Sequence, residues 1–510
     1  MLLQDLLSRS ASSSPASVAV IEPGRAVTYG ELEQCAAEVA SRLQRAGVRA
    51  GERVVLALDN SIAFIACYFG ILKAGAVVVP LPPGRRSDRM LPALRDCTPS
   101  ACIVDEATWP VIAASGAVEE LRTALVPCVW SPGQRLTFQE MTAHADDRRR
   151  QLVSEHDLAA IIYTSGSTGA PRGVMLTHAN ICANTASIVE YLALSADDRM
   201  MVVLPFYYVY GLSLLHTHIA AGGSLVLDNR FAFPNVVLNG IRDHAVTGFA
   251  GVPSTFAMLL HRSNLRQMSF PALRYVTQAG GPMPPARLNE WLGVVPDVPF
   301  FVMYGATEAS ARLAYVPPSE LAARPGSIGR AIPGVDLKVL REDGTVAGAG
   351  EVGELVARGA NISPGYWNAP EETKARFGPD GYRTGDLGYA DSEGFLYLVG
   401  RLHDMIKVGA HRVSAQEIED IVHEHPAVHE AAVVAAAHDL LGEVPVAHVA
   451  LRQGVLAPES ELIALCRSRL AEHKVPVRII FHDELPKSGA GKIDKRALQG
   501  GGAAMEVCDV

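Results

Sequence analysis

The sequence lacks paired cysteines, a basic surplus and any uninterrupted run of apolar residues. Its eight cysteines (Cys35, Cys67, Cys97, Cys102, Cys128, Cys182, Cys466 and Cys508) are scattered with no CxxC spacing. That excludes a zinc ribbon or a disulfide framework and leaves buried small hydrophobes in a reducing compartment. A net charge of −9 with both signs interspersed offers no basic face, so no nucleic-acid partner is expected. Ser61 to Leu81 comes nearest to membrane length, but Gly70, Lys73 and Gly75 interrupt it. It reads as a buried helix, a turn and a strand, so no membrane span is expected. Met1 to Ser8 has no basic region and carries Asp5 among apolar residues, unlike a signal peptide, and the expected location is cytoplasmic.

What is present describes a globular enzyme of more than one core: 49% hydrophobic and 19% charged residues over 510 positions. One stretch dominates. The apolar run Leu158 to Tyr163 reads as a strand and feeds Thr164-Ser165-Gly166-Ser167-Thr168-Gly169-Ala170-Pro171-Arg172-Gly173. Glycines let successive N–H groups turn toward one point. Thr164, Ser165, Ser167 and Thr168 add hydroxyl donors and Arg172 a fixed charge, so the loop suits a polyphosphate. A Ser/Gly linker is the plain alternative, but this loop lies between an apolar strand and a second apolar stretch. Gly-Lys-Ser/Thr is absent, so it is not a Walker A loop.

Before this loop, Tyr29 to Ala46 has helical spacing with Thr28 as its cap, and Arg53–Leu58, Ser61–Lys73 and Ala76–Leu81 alternate strand, helix, strand. Such alternation argues a doubly wound parallel α/β sheet. Glu52-Arg53-Val54-Val55 recurs as Asp198-Arg199-Met200-Met201, and Leu94-Arg95-Asp96 as Ile241-Arg242-Asp243. Two similar α/β halves are therefore expected, with a nucleotide crevice between them. After Gly334, Val335–Leu340, Gly353–Arg358 and Phe395–Val399 read as short strands of a small β subdomain. After Gly400-Arg401 a small α+β domain is expected, with helices near Ser414–His425 and Glu459–Leu470.

Four further segments carry candidate chemistry. Ala279-Gly280-Gly281-Pro282 follows a strand and would let a flat ring approach, although it also suits an ordinary turn. An apolar strand ends in Met303-Tyr304-Gly305-Ala306-Thr307-Glu308, where the Thr307 hydroxyl can touch an α-phosphate and the Glu308 carboxylate can hold magnesium. A helix-capping Thr-Glu pair is the alternative there. Asp386, in Thr384-Gly385-Asp386 at a tight turn, suits two ribose hydroxyls, with Arg401 as a second partner; a hairpin aspartate satisfying its own turn is the alternative. Lys492, in Ser488-Gly489-Ala490-Gly491-Lys492, reads either as a solvated charge or as a cation that a flexible loop swings onto a reaction centre.

Together these strings, in order from residue 163 to 492, resemble the adenylate-forming superfamily: acyl- and aryl-CoA synthetases, luciferases and nonribosomal peptide synthetase adenylation domains. The resemblance covers nearly the whole chain. It implies a large N-terminal domain (1–401) of two doubly wound α/β sheets plus a small β subdomain. A hinge (402–404), a small mobile α+β C-terminal domain (405–499) and a disordered tail (500–510) follow. It implies ATP, Mg2+ and CoA or a carrier protein's phosphopantetheine as reactants, with acyl-AMP as the intermediate. Thr164 to Gly169 with Arg172 would hold phosphates, Gly280, Gly281 and Pro282 adenine, and Met303 to Ala306 the nucleotide. Asp386 and Arg401 would hold ribose, and Lys492, Thr307 and Glu308 would act in catalysis.

The chain departs from the family in places. Arg172 stands where lysine is commoner. Amino-acid-activating relatives place an aspartate in the acid-binding stretch, where this chain has Tyr210. The resemblance assigns Tyr208, Val209, Tyr210 and Ser213, with Ala279, to the acid, and an uncharged hydrophobic tail, fatty or aromatic, is expected. Tyr208, Lys407 and Gly409 would line the thiol tunnel. Ala410 replaces a common second glycine, which leaves CoA and a carrier protein both open as acceptors. A homodimer, a member that diverts its acyl-AMP as luciferases do, and a non-catalytic nucleotide-binding relative also stay open.

Overall fold

The computed structural model describes residues 1–84, 87–115, 121, 123–128, 137–143, 152–165, 171–402, 405–409, 411–438, 440–452, 454–487 and 493–500. Gly166, Ser167, Thr168, Gly169, Ala170, Ala410, Lys492, residues 403 and 404 of the hinge, and residues 501–510 lie outside that set. Three sheets of 14, 8 and 5 strands run through the described residues.

The internal repeat is visible as topology. Arg53–Ala57 pairs in parallel with Val77–Pro80 on one side and Ala101–Val104 on the other. Arg199–Val202 does the same with Ser224–Leu227 and Gly248–Gly251. The first set lies in the eight-stranded sheet and the second in the larger one. The corresponding helices, Ile62–Lys73 and Val209–Ala221, are buried nearly all round and share one apolar cluster. That explains why the Ser61 to Leu81 run looks membrane-like in sequence: its helix is covered by protein on all sides. Among the described residues no helix is long and apolar enough to cross a membrane.

Polar contacts tie the halves inside this layer. Tyr68 Oη and His216 Nε2 meet at 2.9 Å, and burial holds the imidazole down to about 3, so it is neutral. The Asn60 amide donates to the Leu204 carbonyl and accepts from Phe206 N–H, both at 2.8 Å, which anchors the stretch leading to Tyr208. Thr28 caps Tyr29–Arg45 in a capping box with Glu31, as its position in the sequence suggests.

The β subdomain does not stand apart. Ala314–Val316 pairs antiparallel with Phe300–Tyr304, and the ladder continues through Ser327–Ala331, Leu396–Arg401, Gly381–Ala390, Gly353–Gly359 and Val335–Leu340. The larger sheet thus changes from parallel to antiparallel beside Tyr304. The third sheet, from Met405 to His482, has its own apolar cluster with the helix Ala415–His423. It meets the large domain where Arg287 donates to the His429 carbonyl at 2.9 Å and Ser414 to that of Val399. The six described cysteine side chains are buried and form no disulfide.

Tyr29–Arg45 and Ile62–Lys73 approach closely at Gly70, where a Cβ would stand 2.5 Å from Val39 Cβ and 2.9 Å from the Ala36 carbonyl. Alanine normally favours a helix interior over glycine by about 1 kcal/mol. Here overpacking should win, and Gly70→Ala should destabilise the protein by roughly 1–3 kcal/mol. A thermal melt checks this, and an unchanged or higher Tm would refute the close contact.

Candidate active site

The phosphate-loop candidate joins two strands of one hairpin. Leu158–Ser165 and Pro171–Thr177 pair antiparallel from Leu158↔Thr177 to Ser165↔Pro171, with Thr164 opposite Arg172. The second strand also pairs with Gly365–Tyr366 on its other edge. This contact carries Tyr366 across to the other sheet, where its hydroxyl donates to Glu308 Oε1 at 2.8 Å. Ser363 N–H donates to the Glu308 carbonyl at 2.8 Å, while the Ser363 hydroxyl donates to the Met175 carbonyl. Arg172 pairs with Glu372 at 2.7 Å and lies 5.9 Å from the centre of the Tyr366 ring. Arg172, Tyr366 and Glu308 therefore form a continuous series, and the middle member was not legible in the sequence.

Glu308 sits in a single 3-10 turn, Thr307–Ala309, just past Phe300–Tyr304. Gly305 is required by the chain folding back on itself: a Cβ there would lie 1.9 Å from the Ala311 carbonyl oxygen. Backbone packing thus accounts for the glycine. Among the described residues no three His, Cys, Asp or Glu side chains converge on a metal position. A lone carboxylate beside the phosphate-loop candidate nevertheless fits magnesium, which takes one or two carboxylates and completes its shell with water and phosphate oxygens.

Asp386 is not at a tight turn, the position that the sequence suggested, nor at a hairpin, the alternative. It lies inside the strand Gly381–Ala390, beside a register slip at Leu387/Gly388. Glu354 imposes the local path by accepting from Gly385 N–H at 3.1 Å and pairing with Arg383 at 2.7 Å. The buried Asp386 carboxylate accepts from Tyr304 Oη at 2.5 Å and from Arg401 Nε at 3.0 Å. Burial beside that carboxylate pushes the Tyr304 phenol well above its usual range, so it stays a donor. An ionised carboxylate has about four acceptor positions, so Asp386 can take two more donors such as ribose hydroxyls.

The strand Tyr275–Gln278 runs beside Phe300–Tyr304, with Thr277 opposite Phe301. Gly281 and Pro282 beyond it are exposed, and the buried Gln278 side chain folds back to donate to the Gly281 carbonyl at 2.8 Å. Tyr208 caps the helix Val209–Ala221, and its ring lies 4.6 Å from that of Tyr207. Tyr210 is buried, with its hydroxyl donating to the Thr277 carbonyl at 3.1 Å. Ser213, also nominated for the acid, uses its hydroxyl within its own helix on the Tyr210 carbonyl at 2.7 Å.

Arg312 also enters this region. It is 3% exposed, its guanidinium carbon lies 4.1 Å from the centre of the Tyr210 ring, and Nε donates to Met303 Sδ at 3.3 Å. Arg312 thus sets a positive charge against Tyr210; the expectation of an uncharged acid tail rested on the Leu204–Ser213 stretch, whereas this charge comes from a segment about 100 positions later. A single arginine within the otherwise apolar Ala309–Val316 was the available signal.

Lys407 and Gly409 lie on the hairpin of the small sheet. Lys407 N–H donates to Glu443, and Gly409 N–H to the Leu441 carbonyl at 2.8 Å. Lys487 and Ile493, on either side of the segment that includes Lys492, pair as an antiparallel bridge.

The Tyr366–Glu308 bond makes a distinct prediction. A hydrogen bond to a charged group contributes about 1.5–3 kcal/mol. Tyr366→Phe should therefore weaken magnesium–nucleotide binding by roughly ten-fold or more while moving Tm little, as titration calorimetry and melting would show. Equal affinity in the two proteins would remove Tyr366 from the site.

Comparison with known proteins agrees with this geometry. The family model "AMP-binding enzyme" matches residues 7–367, and "AMP-binding enzyme C-terminal domain" matches residues 417–492. The chain is 31% identical to a long-chain-fatty-acid–CoA ligase of Bacillus subtilis, over 97% of this chain and 94% of that protein. It is 32% identical to a feruloyl-CoA synthase of Amycolatopsis, over 96% of each. Among solved structures it overlays ATP-bound MatB from Rhodopseudomonas palustris with a TM-score of 0.87 at 28% identity, covering 98% of this chain and 99% of that one. The apo form of the same protein gives 0.77. The chain thus belongs to the AMP-binding enzyme family and is an AMP-forming ligase of the acyl-CoA synthetase type.

Proposed function

We propose that this ligase activates a carboxylic acid with a fatty or aryl body, without an α-ammonium group, and passes the acyl group from AMP to the thiol of CoA. The observation that carries the reading is the joining of Glu308, through Tyr366, to the phosphate hairpin, one turn beyond the strand whose Tyr304 holds Asp386. Two nucleotide contacts of opposite function, one for phosphate and metal and one for ribose, then flank the end of a single strand.

In this reading Asp386 and Arg401 hold the ribose, and Gly280, Gly281 and Pro282 form the shelf for adenine. Thr164 to Gly169 with Arg172 hold the β- and γ-phosphates, and Arg172 exchanges Glu372 for a phosphate. Thr307 donates to the α-phosphate. Glu308 would hold magnesium, which when bound neutralises phosphate charge. Lys492 stabilises the charge that builds where the acid's oxygen meets the α-phosphate. Tyr210 replaces the acidic group that an ammonium would need, which argues against α-amino acids. The closer overlay on the ATP-bound than on the apo form of MatB supports a small domain resting in the adenylating orientation. Rotation of residues 405–499 would then bring Lys407 and Gly409 toward Tyr208 and the thiol. The curated relatives' names favour CoA as acceptor. A carrier protein's phosphopantetheine is the alternative, and the same transfer assay separates the two.

Two substitutions test this mechanism. Glu308→Gln should fold normally yet lose magnesium-dependent pyrophosphate exchange, and full exchange with an unaltered magnesium requirement would sink the metal assignment. Lys492→Ala should lower acyl-AMP formation from acid and ATP by at least roughly 10²-fold, yet still transfer the acyl group from supplied acyl-AMP to a thiol. A substitution at Gly409 should show the reverse. Equal slowing of both half-reactions by Lys492→Ala would contradict domain alternation.

A further inference from the structure

Beside the proposed acid site lies a buried cation that, among the described residues, has no carboxylate partner. Arg312 is 3% exposed, and among the described residues no carboxylate lies within ion-pair distance. Its partners are all uncharged: the Met303 thioether at 3.3 Å, its neighbour's Ala311 carbonyl at 3.1 Å, the hydroxyls of Tyr191 and Tyr210, and the face of the Tyr210 ring. Burying a charge without a counter-charge is costly.

The backbone that delivers this side chain is built for the purpose. Ser310 and Ala311, neither of them glycine, both take positive φ, at 56° and 127°. Two buried amides hold the turn. Asn361 donates to the carbonyls of Ala309 and Arg312 at 3.1 and 3.0 Å, and Asn184 donates to that of Arg312 at 3.0 Å. Strained backbone of this kind persists only where its surroundings over-determine it, and it clusters at ligand sites.

Its depth in the fold sets the part of the acid it would meet. The reacting carboxylate belongs at the open end of the strands, near Gly280 and Thr307. Tyr210, against which Arg312 stacks, is bonded at Thr277, two residues back from Ala279 along the same strand direction. At about 3.3 Å per residue this is roughly 7 Å deeper. Arg312 stacks on the face of the Tyr210 ring, and so meets the part of the acid that runs past Tyr210 toward Thr277 rather than the reacting carboxylate.

The geometry points to an acid that carries a second carboxylate at its distal end, received by the Arg312 guanidinium, with the fatty or aryl body between the two acid groups. A planar guanidinium matches a carboxylate in bidentate fashion, and a distal anion supplies the missing counter-charge. This inference rests on the adenylation reading above and on its placement of the acid beside Tyr210 and Ala279.

The test compares straight-chain and aryl monocarboxylic acids with their dicarboxylic counterparts of equal length. Pyrophosphate exchange is measured with wild type, Arg312→Met and Arg312→Lys. A site built around a polar group rejects analogues lacking it far more strongly than an apolar pocket does. Wild type should thus favour a dicarboxylic acid by at least ~10²-fold in kcat/KM. Arg312→Met should lose or invert that preference, and Arg312→Lys should keep part of it. Met removes an unanswered buried charge, so this variant should melt no lower than wild type. Should it unfold, the wild-type panel alone decides. Preference for monocarboxylic acids across that panel, or an unchanged dicarboxylate preference in Arg312→Met, overturns the inference. If no acid of either type supports exchange, the adenylation reading has failed instead. The rise in Tm on adding a dicarboxylic acid alone, present in wild type and lost in Arg312→Met, then decides whether Arg312 is still the receptor.

Discussion

The short crossing from Asn361 to Tyr366 holds the site together. At one end Asn361 clamps the carbonyls of Ala309 and Arg312; in the middle Ser363 bonds both Glu308 and Met175; at the far end Tyr366 pairs with the phosphate hairpin and donates to Glu308. The Ser363 and Tyr366 bonds link the larger sheet to the eight-stranded one, and the Asn361 bonds fix the larger-sheet side of the crossing. Without them the hairpin and the Thr307–Ala309 turn would be joined mainly through the helical layer, whose polar contacts lie away from the site. Apolar packing is non-directional, so a tenth-nanometre placement of carboxylate against phosphate needs these directed bonds.

The burial of polar groups in the large domain follows the same logic. Most buried polar groups there are answered locally: His216 by Tyr68, Asn60 by Leu204 and Phe206, Asp386 by Tyr304 and Arg401. Arg312 differs because its partners are all uncharged: a sulfur, a carbonyl, two phenol hydroxyls and a ring face. Among the described residues it is a buried cation without a carboxylate partner, set against the ring of Tyr210.

The duplicated topology explains where the crevice lies. In each half the middle strand pairs in parallel with two neighbours, and the helix that follows it enters the shared layer between the sheets. Ligands of open parallel sheets bind beyond the carboxyl ends of the strands. In the second half Ala279–Pro282 and Gly305–Glu308 occupy those ends, and the change to antiparallel pairing beside Tyr304 brings Asp386 and Arg401 to the same edge.

By itself the sequence determined whatever depends on local chemistry and short spacing. The capped helix after Thr28, the buried helix and strand between Ser61 and Leu81, the repeat, and the five strings that mark the family are all of this kind. It could not determine which distant side chains would meet. Tyr366 carries no motif, and only strand pairing with Val174 aims it at Glu308. Asp386 reads as a turn residue because Thr-Gly-Asp is turn-like, but Glu354 and the neighbouring strands hold it extended. Arg312 looks like an isolated charge until Ser310 and Ala311 turn it inward beneath Tyr210. Period and propensity act over a few residues, whereas these contacts span tens to hundreds. Which buried groups find partners is therefore decided by tertiary structure.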